Sequence, residues 1–563
     1  MSEIPAAPVG PPGSAAPVVP PAPAPPGGGA PAQQAPPPAP ASPGVPEQQP
    51  AARAPYGLSP LPPRPSGFLQ RAWPAPGQAA DQAVLAGIIA AGVIAAASLP
   101  LDRPGIGWLI TGVSAAAATA IASRRATAPA GRVARAERIG WGTGALALLG
   151  VGTVRAAGWL FVLCVLTACV AASLAVTRGR TVRGLALGPL MVPLAAGRAV
   201  PWAVRGLVDR RQAKPTPGGG GEQSANAARL VATIAVSVVL LVMFGSLFVT
   251  ADPAFARVLN NVLPDISAGT VARWFFVFLV VGFGTLGAAY LVSAPPTLDG
   301  GTSGAGRVRR LEWVLPLALL DSLFVAFVLV QLAVLFGGAR HVLRTAELTY
   351  AEYARGGFWQ LLVVTALTLV VIMSAARWAP RDTGTDRLLI RALLGGLAVL
   401  TLVIVASALY RMRVYEEAYG FTRLRVFVST VELWLGAVFI MVLVAGVRLA
   451  AGWLPRAISA SSMVALFGLA VLNPDRFIAD RNIDRYTEIG RLDTYYLRTL
   501  SADAVPALDR LPAGARECAL VDLADELSAP DGWQDYNLAR TQARHLLADR
   551  PVMVAGSCRD YQG

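Results

Sequence analysis

Long apolar runs separated by short polar segments occupy the chain from about residue 83 to residue 472. A hydrocarbon core of roughly 30 Å is crossed by about 20 helical residues, and lipid offers backbone groups no hydrogen-bonding partner outside their own helix. The pattern therefore predicts an all-α polytopic membrane protein with about eleven transmembrane helices. We expect them at 83–99, 105–122, 139–154, 157–177, 229–250, 271–293, 311–336, 358–376, 388–410, 426–449 and 455–472.

One further apolar segment does not fit the pattern of a crossing helix. Residues 184–204, GLALGPLMVPLAAGRAVPWAV, are interrupted by three prolines and by Arg198. Proline removes a helical hydrogen bond and arginine is costly in the hydrocarbon core. We therefore expect this segment to be re-entrant or to lie at the membrane interface.

Two polar regions flank the predicted membrane domain, residues 81–472. Residues 1–80 hold 25 of the 45 prolines and have almost no apolar periodicity, so this Pro/Ala/Gly-rich tail is expected to be disordered. The tail lacks a basic region followed by an apolar core, so no secretory signal is expected. Residues 473–563 are polar, with apolar positions at roughly helical spacing, and predict a small helical domain.

Basic residues in the loops predict the orientation. With the N-terminus inside the cell, the inner loops carry twenty-one arginines and lysines and the outer loops carry ten. This bias favours a cytoplasmic N-terminus in the cell membrane. An odd number of spans then places residues 473–563 on the exported side.

Composition narrows the class of protein further. The chain is 54% hydrophobic and only 15% charged, and its net charge of +14 comes mostly from arginines in short loops, so a membrane is favoured over nucleic acid as the partner. The two histidines and four cysteines form no HExxH motif and no CxxC pair, and a GxxxxGK[ST] loop is absent. Zinc, P-loop and thioredoxin-like chemistry are disfavoured, and no metal or cofactor is predicted.

Four phrases together resemble one family of bacterial multi-pass membrane proteins. They are FVAFVLVQLAVLFGG (324–338), LTYAEYARGGFWQLL (348–362), LYRMRVYEEAYGFTRLR (409–425) and the stretch from NPDRFIADRN to ADAVPAL (473–508). The family is the domain of unknown function four-one-seven-three, with its relative four-one-five-three. The resemblance covers roughly residues 230–550. It implies membrane placement and transfers no catalytic residue.

Three polar residues inside predicted spans are candidates for an intramembrane site. Asp321 enters about ten residues into its helix, and Gln331 lies about 80° away around the same axis, so one polar face can hold both. Glu432 lies about six residues into the tenth span. A carboxyl group at such depth must face protein or water. Asp321 is a proton or cation site, a binding residue that lines a cavity, or a protonated carboxyl group that is hydrogen-bonded to a neighbouring helix.

Arginine, tyrosine and glutamate cluster in two predicted outer loops, 339–358 and 410–425. Arginine and tyrosine suit an anionic, partly apolar ligand such as a lipid phosphate or an envelope polymer. The alternative is that they are interfacial anchors that dock the C-terminal domain. The candidate residues are Arg340, Arg344, Tyr353, Arg355, Arg411, Arg413, Tyr415, Tyr419, Arg423 and Arg425.

Two cysteines, Cys518 and Cys558, fall in the predicted exported domain. An oxidising compartment would permit a disulfide between them. Cys164 and Cys169 lie in the fourth predicted span and are expected to act as small apolar residues.

These patterns predict an envelope membrane protein that acts as a transporter-like or sensory binding module. One alternative is a membrane-embedded envelope enzyme such as a lipid-carrier glycosyltransferase, but the first outer loop, PLDRP (100–104), is too short for an active-site loop. The other alternative is an accessory subunit of a membrane-protein partner.

Overall fold

The structure is a computed structural model that describes residues 76–125, 131–177, 181–212, 268–296, 309–336 and 358–553. It also describes Trp73, Gly179, Cys558 and scattered positions between 237 and 258. All of these residues belong to one compact unit. The predicted tail, the predicted span at 229–250 and the loop at 339–357 lie outside the described residues or almost wholly so.

Eleven long helices, α1 to α11, make up the described part of the membrane domain. They are α1 (Gln82–Ser98), α2 (Ile106–Arg125), α3 (Arg132–Val154), α4 (Gly158–Thr177), α5 (Val182–Gln212), α6 (Ala268–Ser293), α7 (Arg310–Phe336), α8 (Phe358–Trp378), α9 (Gly384–Tyr419), α10 (Arg423–Arg448) and α11 (Leu454–Leu472). Among the described residues, nine helices are long and apolar enough to cross a membrane, namely α2 and α4 to α11. The chain is an all-α polytopic membrane protein.

The helices pack as two groups, α1 to α6 and α7 to α10, and α11 joins them. One apolar cluster unites α1, α2, α5 and α6 around Tyr290, which is 1% exposed. A second cluster unites α7 to α10 around Leu397 and Phe439. Helix α11 packs against α10 on one side and against α3 and α4 on the other. Many exposed side chains of these helices are aliphatic, as expected for helices that face lipid.

Most helices that are neighbours in the chain run in opposite directions, so the bundle has two ends. Ion pairs join helix starts and ends at the first of these, the basic end: Arg125 to Asp81 at 3.6 Å, Arg310 to Asp386 at 2.7 Å and Arg456 to Glu137 at 2.6 Å. The opposite end, the domain end, holds the turns at 99–105, 155–157 and 420–422 and carries the C-terminal domain.

The Pro-containing segment, residues 184–204, lies within one continuous helix, α5. Its re-entrant or interfacial placement stays a prediction. Another segment differs from its predicted form. The predicted outer loop at 410–425 is largely helical, because α9 continues to Tyr419 and ends only where Gly420 adopts φ 78°. Arg413 and Glu417 pair one turn apart at 3.3 Å, which suits a helix.

The C-terminal residues form a small helical domain on the domain end. Its helices are α12 (Pro474–Ile489), α13 (Thr494–Arg498), α14 (Val505–Leu508), α15 (Ala513–Ser528) and α16 (Leu538–Asp549), with single 3₁₀ turns at Ala502–Ala504 and Trp533–Asp535. Leu497, Leu508 and Leu520 are at most 1% exposed at its centre. The same apolar cluster continues into α3 and α4, so the domain and the bundle share one core.

Candidate functional site

Asp321 lies near the middle of α7 and faces α9. Its Oδ2 is 3.8 Å from the point where a Cβ would lie at Gly396, so the glycine leaves room for the carboxyl group. The side chain is half-buried. Its Oδ1 is buried and has no hydrogen-bond partner among the described residues.

Gln331 is engaged separately from Asp321. Its Oε1 accepts a hydrogen bond from Arg411 Nη2 of α9. Ten residues of helix place it about 15 Å along the axis from Asp321. The two predicted partners thus both face α9 but at different depths, and a polar cavity that joins them stays a prediction.

Glu432 is the most deeply buried acid of the bundle helices. It is 1% exposed on α10, and neither of its carboxyl oxygens has a hydrogen-bond partner in the described part of the chain. Gly436 lies beside Val405 in the antiparallel α9–α10 pair, so Glu432 lies near the level of Ala408. That level is about 18 Å along α9 from Gly396 and hence from Asp321.

A different set of polar residues joins the C-terminal domain to the bundle. We call Trp159, Arg423, Asp475, Tyr496, Ser501 and Asp503 the docking network. Asp475, at the start of α12, is 0% exposed. It accepts hydrogen bonds from Arg423 Nε at 2.9 Å and Nη2 at 2.5 Å, from Trp159 Nε1 at 3.1 Å and from the Ser501 backbone N–H at 2.8 Å.

These partners decide the charge of Asp475. Burial by itself favours the neutral acid, but the bonds from Arg423, Ser501 and Trp159 outweigh it. The pKa of Asp475 is therefore held below its ordinary value. Arg423 also donates its backbone N–H to the Tyr496 hydroxyl at 2.7 Å, so the α9–α10 turn contacts the domain through both main chain and side chain.

Asp503 of the C-terminal domain caps the start of α4 in the bundle. Its Oδ2 accepts from the backbone N–H groups of Ala156 and Ala157 at 2.7 and 2.9 Å, which have no helical partners at a helix start. Ser501 Oγ donates to the same oxygen at 3.1 Å. Burial raises the pKa of the Asp503 carboxyl even so, although the two backbone N–H groups and Arg155 favour its charged form.

A second group of contacts secures the other side of the domain. Asn537, 0% exposed, donates to the carbonyl oxygens of Gly152 and Arg155 at 2.8 and 2.9 Å. Arg540, 3% exposed, pairs with Asp531 at 3.0 Å and donates to Pro104 O at 2.9 Å. The turn at 99–105 is thereby held against the domain.

The predicted exported-face residues divide into two sets. Arg340, Arg344, Tyr353 and Arg355 lie outside the described residues. The other six lie at or near the α9–α10 turn and contact protein. Arg411 donates to Gln331, Arg413 pairs with Glu417, and Arg423 binds Asp475. The Tyr415 and Tyr419 rings are tilted with their centroids 5.0 Å apart, and Arg425 lies 4.2 Å over the Tyr415 ring. The contacts of Arg423 agree with the alternative that these residues dock the C-terminal domain, because its guanidinium binds Asp475. Ligand binding by this face stays a prediction.

The sequence did not single out Asp475, Asp503, Asn537 or Arg540. Each had one local signal, namely a polar side chain at a helix start, as in the NPD of 473–475 and the YNL of 536–538. Each of them also has a partner that is distant in the chain, from 52 residues away for Asp475 and Arg423 to 436 for Arg540 and Pro104. No local pattern identifies a partner at that separation.

All four cysteines of the chain lie among the described residues. Cys518 and Cys558 form a disulfide with 5.7 Å between their Cα atoms, and it ties the chain's last described residue to α15. Cys164 and Cys169 are free thiols on α4. Within the described residues, no group of three or more His, Cys, Asp or Glu could hold a metal ion.

Comparisons with known proteins identify the family of the chain and no individual relative. Residues 143–511 match the model described as Domain of unknown function (DUF4153), which covers the larger part of the chain. This is the family four-one-five-three, which the sequence resemblance named as the relative of family four-one-seven-three. No curated protein and no solved structure matches the chain.

Proposed function

The chain belongs to the DUF4153 family of unknown function, and we propose that it is a transporter-like or sensory module of the bacterial cell envelope that binds a proton or cation at Glu432. One observation carries the proposal. Glu432 is a fully buried carboxyl group that has no hydrogen-bond partner among the described residues.

The contrast with Asp475 separates this role from a structural one. Asp475 is equally buried, yet it accepts four hydrogen bonds, as a buried structural carboxylate does. An ionised carboxylate without partners in an apolar interior costs many kcal/mol. Glu432 is therefore compensated by a bound proton or cation, and ionisable groups of this kind mark ion pathways in membrane helices.

Asp321 supplies a second such position in the same helix group. Both acids adjoin α9, at levels about 18 Å apart. One proton or cation could be exchanged at each level. Gln331 and Arg411, bonded to each other between α7 and α9, lie towards the domain end on the same side as Glu432.

The contacts of the first outer turn support a non-enzymatic role over the glycosyltransferase alternative. Residues 99–105 are short, and the domain covers them: Ile106 N–H donates to Tyr536 O at 3.1 Å, and Arg540 bonds Pro104 O. A Cβ at Gly105 would overlap the backbone at Gln534 and Asp535. A turn packed this closely leaves no room for a lipid-linked substrate.

The test follows the Glu432 carboxyl directly. Purified full-length protein in lipid vesicles would be compared with Glu432→Gln, Asp321→Asn and the control Glu312→Gln, an exposed acid at the start of α7. We expect an infrared carboxylic-acid C=O band that responds to pH, Na⁺ or K⁺, is lost in Glu432→Gln and persists in Glu312→Gln. A response accompanied by flux of that ion indicates a transporter, and one without flux indicates a sensor.

The contradicting outcome is equally specific. A Glu432 band that is indifferent to pH, to both cations and to exchange of hydrogen for deuterium would identify a permanently protonated packing residue. The proposal would then be wrong for Glu432. Loss of the response only in Asp321→Asn would move the site to Asp321.

A further inference from the structure

Helix α5 contacts the basic end of the bundle at several points between residues 188 and 206. Near its start, Ser173 Oγ of α4 donates to Gly188 O, one turn before α4 ends at Thr177. Near its end, Trp202 Nε1 donates to Gln78 O at 3.0 Å and Trp202 O accepts from Ala80 N–H at 3.5 Å. Residues 78–80 directly precede the start of α1 at the same end.

The middle of α5 lies close to that end as well. Gly287 of α6 packs against the α5 backbone, where an added Cβ would overlap Val192 O and lie 3.0 Å from Ala196 N. Gly287 is six residues, or about 9 Å, before the end of α6. From residue 188 to residue 206, α5 advances about 27 Å along its axis but stays within about 9 Å of one end of the bundle. It therefore runs across its neighbours rather than alongside them.

An aromatic cluster fixes this orientation. The Tyr290 ring lies between the rings of Trp73 and Trp202, with both centroids at 5.8 Å. Arg198 lies 5.1 Å over Trp73 and donates to its carbonyl oxygen at 3.1 Å, while Trp73 Nε1 donates to Ala294 O at 2.8 Å. The segment before α1, helix α5 and the end of α6 are thus joined at one level.

The face of α5 that points away from the bundle is aliphatic. Leu187, Leu190, Leu194, Val200 and Val204 are 40% to 57% exposed. Arg183 and Arg205 are exposed near its two ends. From residue 178 to 214 the chain carries eight basic residues and a single acid, Asp209. An aliphatic stripe flanked by arginines matches acyl chains beneath anionic headgroups.

We propose that α5 lies in the plane of the membrane surface at the basic end and binds anionic phospholipids, with its aliphatic face in the acyl region and Arg183 and Arg205 on the phosphates. The helix is long and apolar enough to cross a membrane, but its contacts keep it on one side. The inference does not depend on the role of Glu432.

Depth measurements test the placement. Spin labels on cysteines at Leu187, Leu190, Leu194 and Val204 would be introduced one at a time into the full chain with Cys164 and Cys169 changed to Ala. In lipid vesicles, relaxation by oxygen and by a water-soluble nickel complex reports how deep each label lies. We expect four similar, shallow depths. A maximum at Leu194 would show that α5 crosses the membrane and would overturn the proposal.

A crossing helix provides the matched control. Leu311, Leu315, Leu319 and Leu323 of α7 are 52% to 73% exposed and recur every four residues. Labels there should become deeper by about 6 Å per step. This gradient also shows that the background protein is folded.

Lipid selectivity tests the ligand. The association of spin-labelled phosphatidylglycerol relative to phosphatidylcholine would be measured in mixed vesicles. Arg183→Gln with Arg205→Gln should lower the preference for phosphatidylglycerol by a factor of about two or more. Arg476→Gln with Arg510→Gln, an equal charge change in the C-terminal domain, should leave it unchanged. If the two double variants had the same preference for phosphatidylglycerol over phosphatidylcholine, anionic lipid would be excluded as the ligand of α5.

Discussion

At the scale of single residues, two buried acids show how neighbours decide what a carboxyl group does. Asp475 accepts four hydrogen bonds, two of them from one guanidinium, and its pKa is lowered. Glu432 has none among the described residues. A charge-assisted, bidentate pair fixes geometry, whereas a carboxyl group without partners is free to take up and release a proton or cation. The first therefore holds the domain in place, and the second is the candidate for function.

Arg423→Gln should weaken the attachment of the C-terminal domain. It leaves Asp475 buried without its cation, which costs about 3–5 kcal/mol. We expect a lower unfolding temperature for the full chain in detergent and faster trypsin cleavage within residues 473–553.

Arg498→Gln is the matched control for Arg423→Gln. It also removes one arginine from a two-bond pair with an aspartate, Asp522, but both side chains are substantially exposed. Exposed pairs contribute at most about 1 kcal/mol. If the two variants lost equal stability, the docking network would not hold the domain.

At the scale of secondary-structure elements, glycines set how closely helices approach. In α6, Gly287 faces the backbone of α5, while Gly284, one turn away, has nothing within 4 Å of the position of a Cβ. At the end of α9, Gly420 allows the left-handed turn that brings Phe421 to Asn482, whose side chain exchanges two hydrogen bonds of 2.9 Å with the Phe421 backbone. Glycine thus permits close helix packing at Gly287 and a positive φ at Gly420, whereas Gly284 meets no neighbour.

A pair of alanine substitutions tests the α5–α6 contact. Gly287→Ala forces two backbones apart and should destabilise the protein by about 1–3 kcal/mol. Gly284→Ala adds a methyl group in open space and should stabilise α6 by about 0.5–1 kcal/mol. Thermal unfolding of both variants in detergent measures the difference. Two shifts of the same sign and size would mean that α5 does not pack on Gly287.

At the scale of the whole molecule, the alternation of helices fixes which segments share a side. The ion pairs of the basic end and the contacts of α5 place residues 81, 125, 132, 206, 293 and 310 together, and the C-terminal domain lies at the other end. Residue 206 and residue 268 lie at opposite ends. The predicted span at 229–250, which lies almost wholly outside the described residues, would connect them.

Reporter fusions decide which end faces the cytoplasm. A reporter that is active only outside the cell should be inactive near residues 130, 210 and 305 and active after residue 500, because the basic loops favour the inside. Cytoplasmic reporters at the same positions should give the reverse pattern. Activity of the exported reporter at residue 305 would refute the eleven-span arrangement.

The sequence determined the class of the protein and the approximate position of its described helices. Lipid leaves backbone groups no partner but their own helix, so each long apolar run had to become a helix. The predicted end of a helix was wrong where polar residues continued it. Helix α9 was predicted to end at residue 410 and ends at Tyr419, because Arg, Glu and Tyr suit the end of a helix as well as a loop. The sequence also identified Asp321, Gln331 and Glu432, since a polar residue is conspicuous in an apolar run.

Only the tertiary structure decided what those residues and helices contact. The prolines and Arg198 of residues 184–204 predicted a re-entrant or interfacial segment but left those two forms open. The contacts of Gly188, Gly287 and Trp202 show where the helix α5 lies against its neighbours. The pairing of Arg423 with Asp475 spans 52 residues, and burial alone would not distinguish Asp475 from Glu432. Hydrogen-bond partners distinguish them, and folding brings those partners from distant parts of the chain.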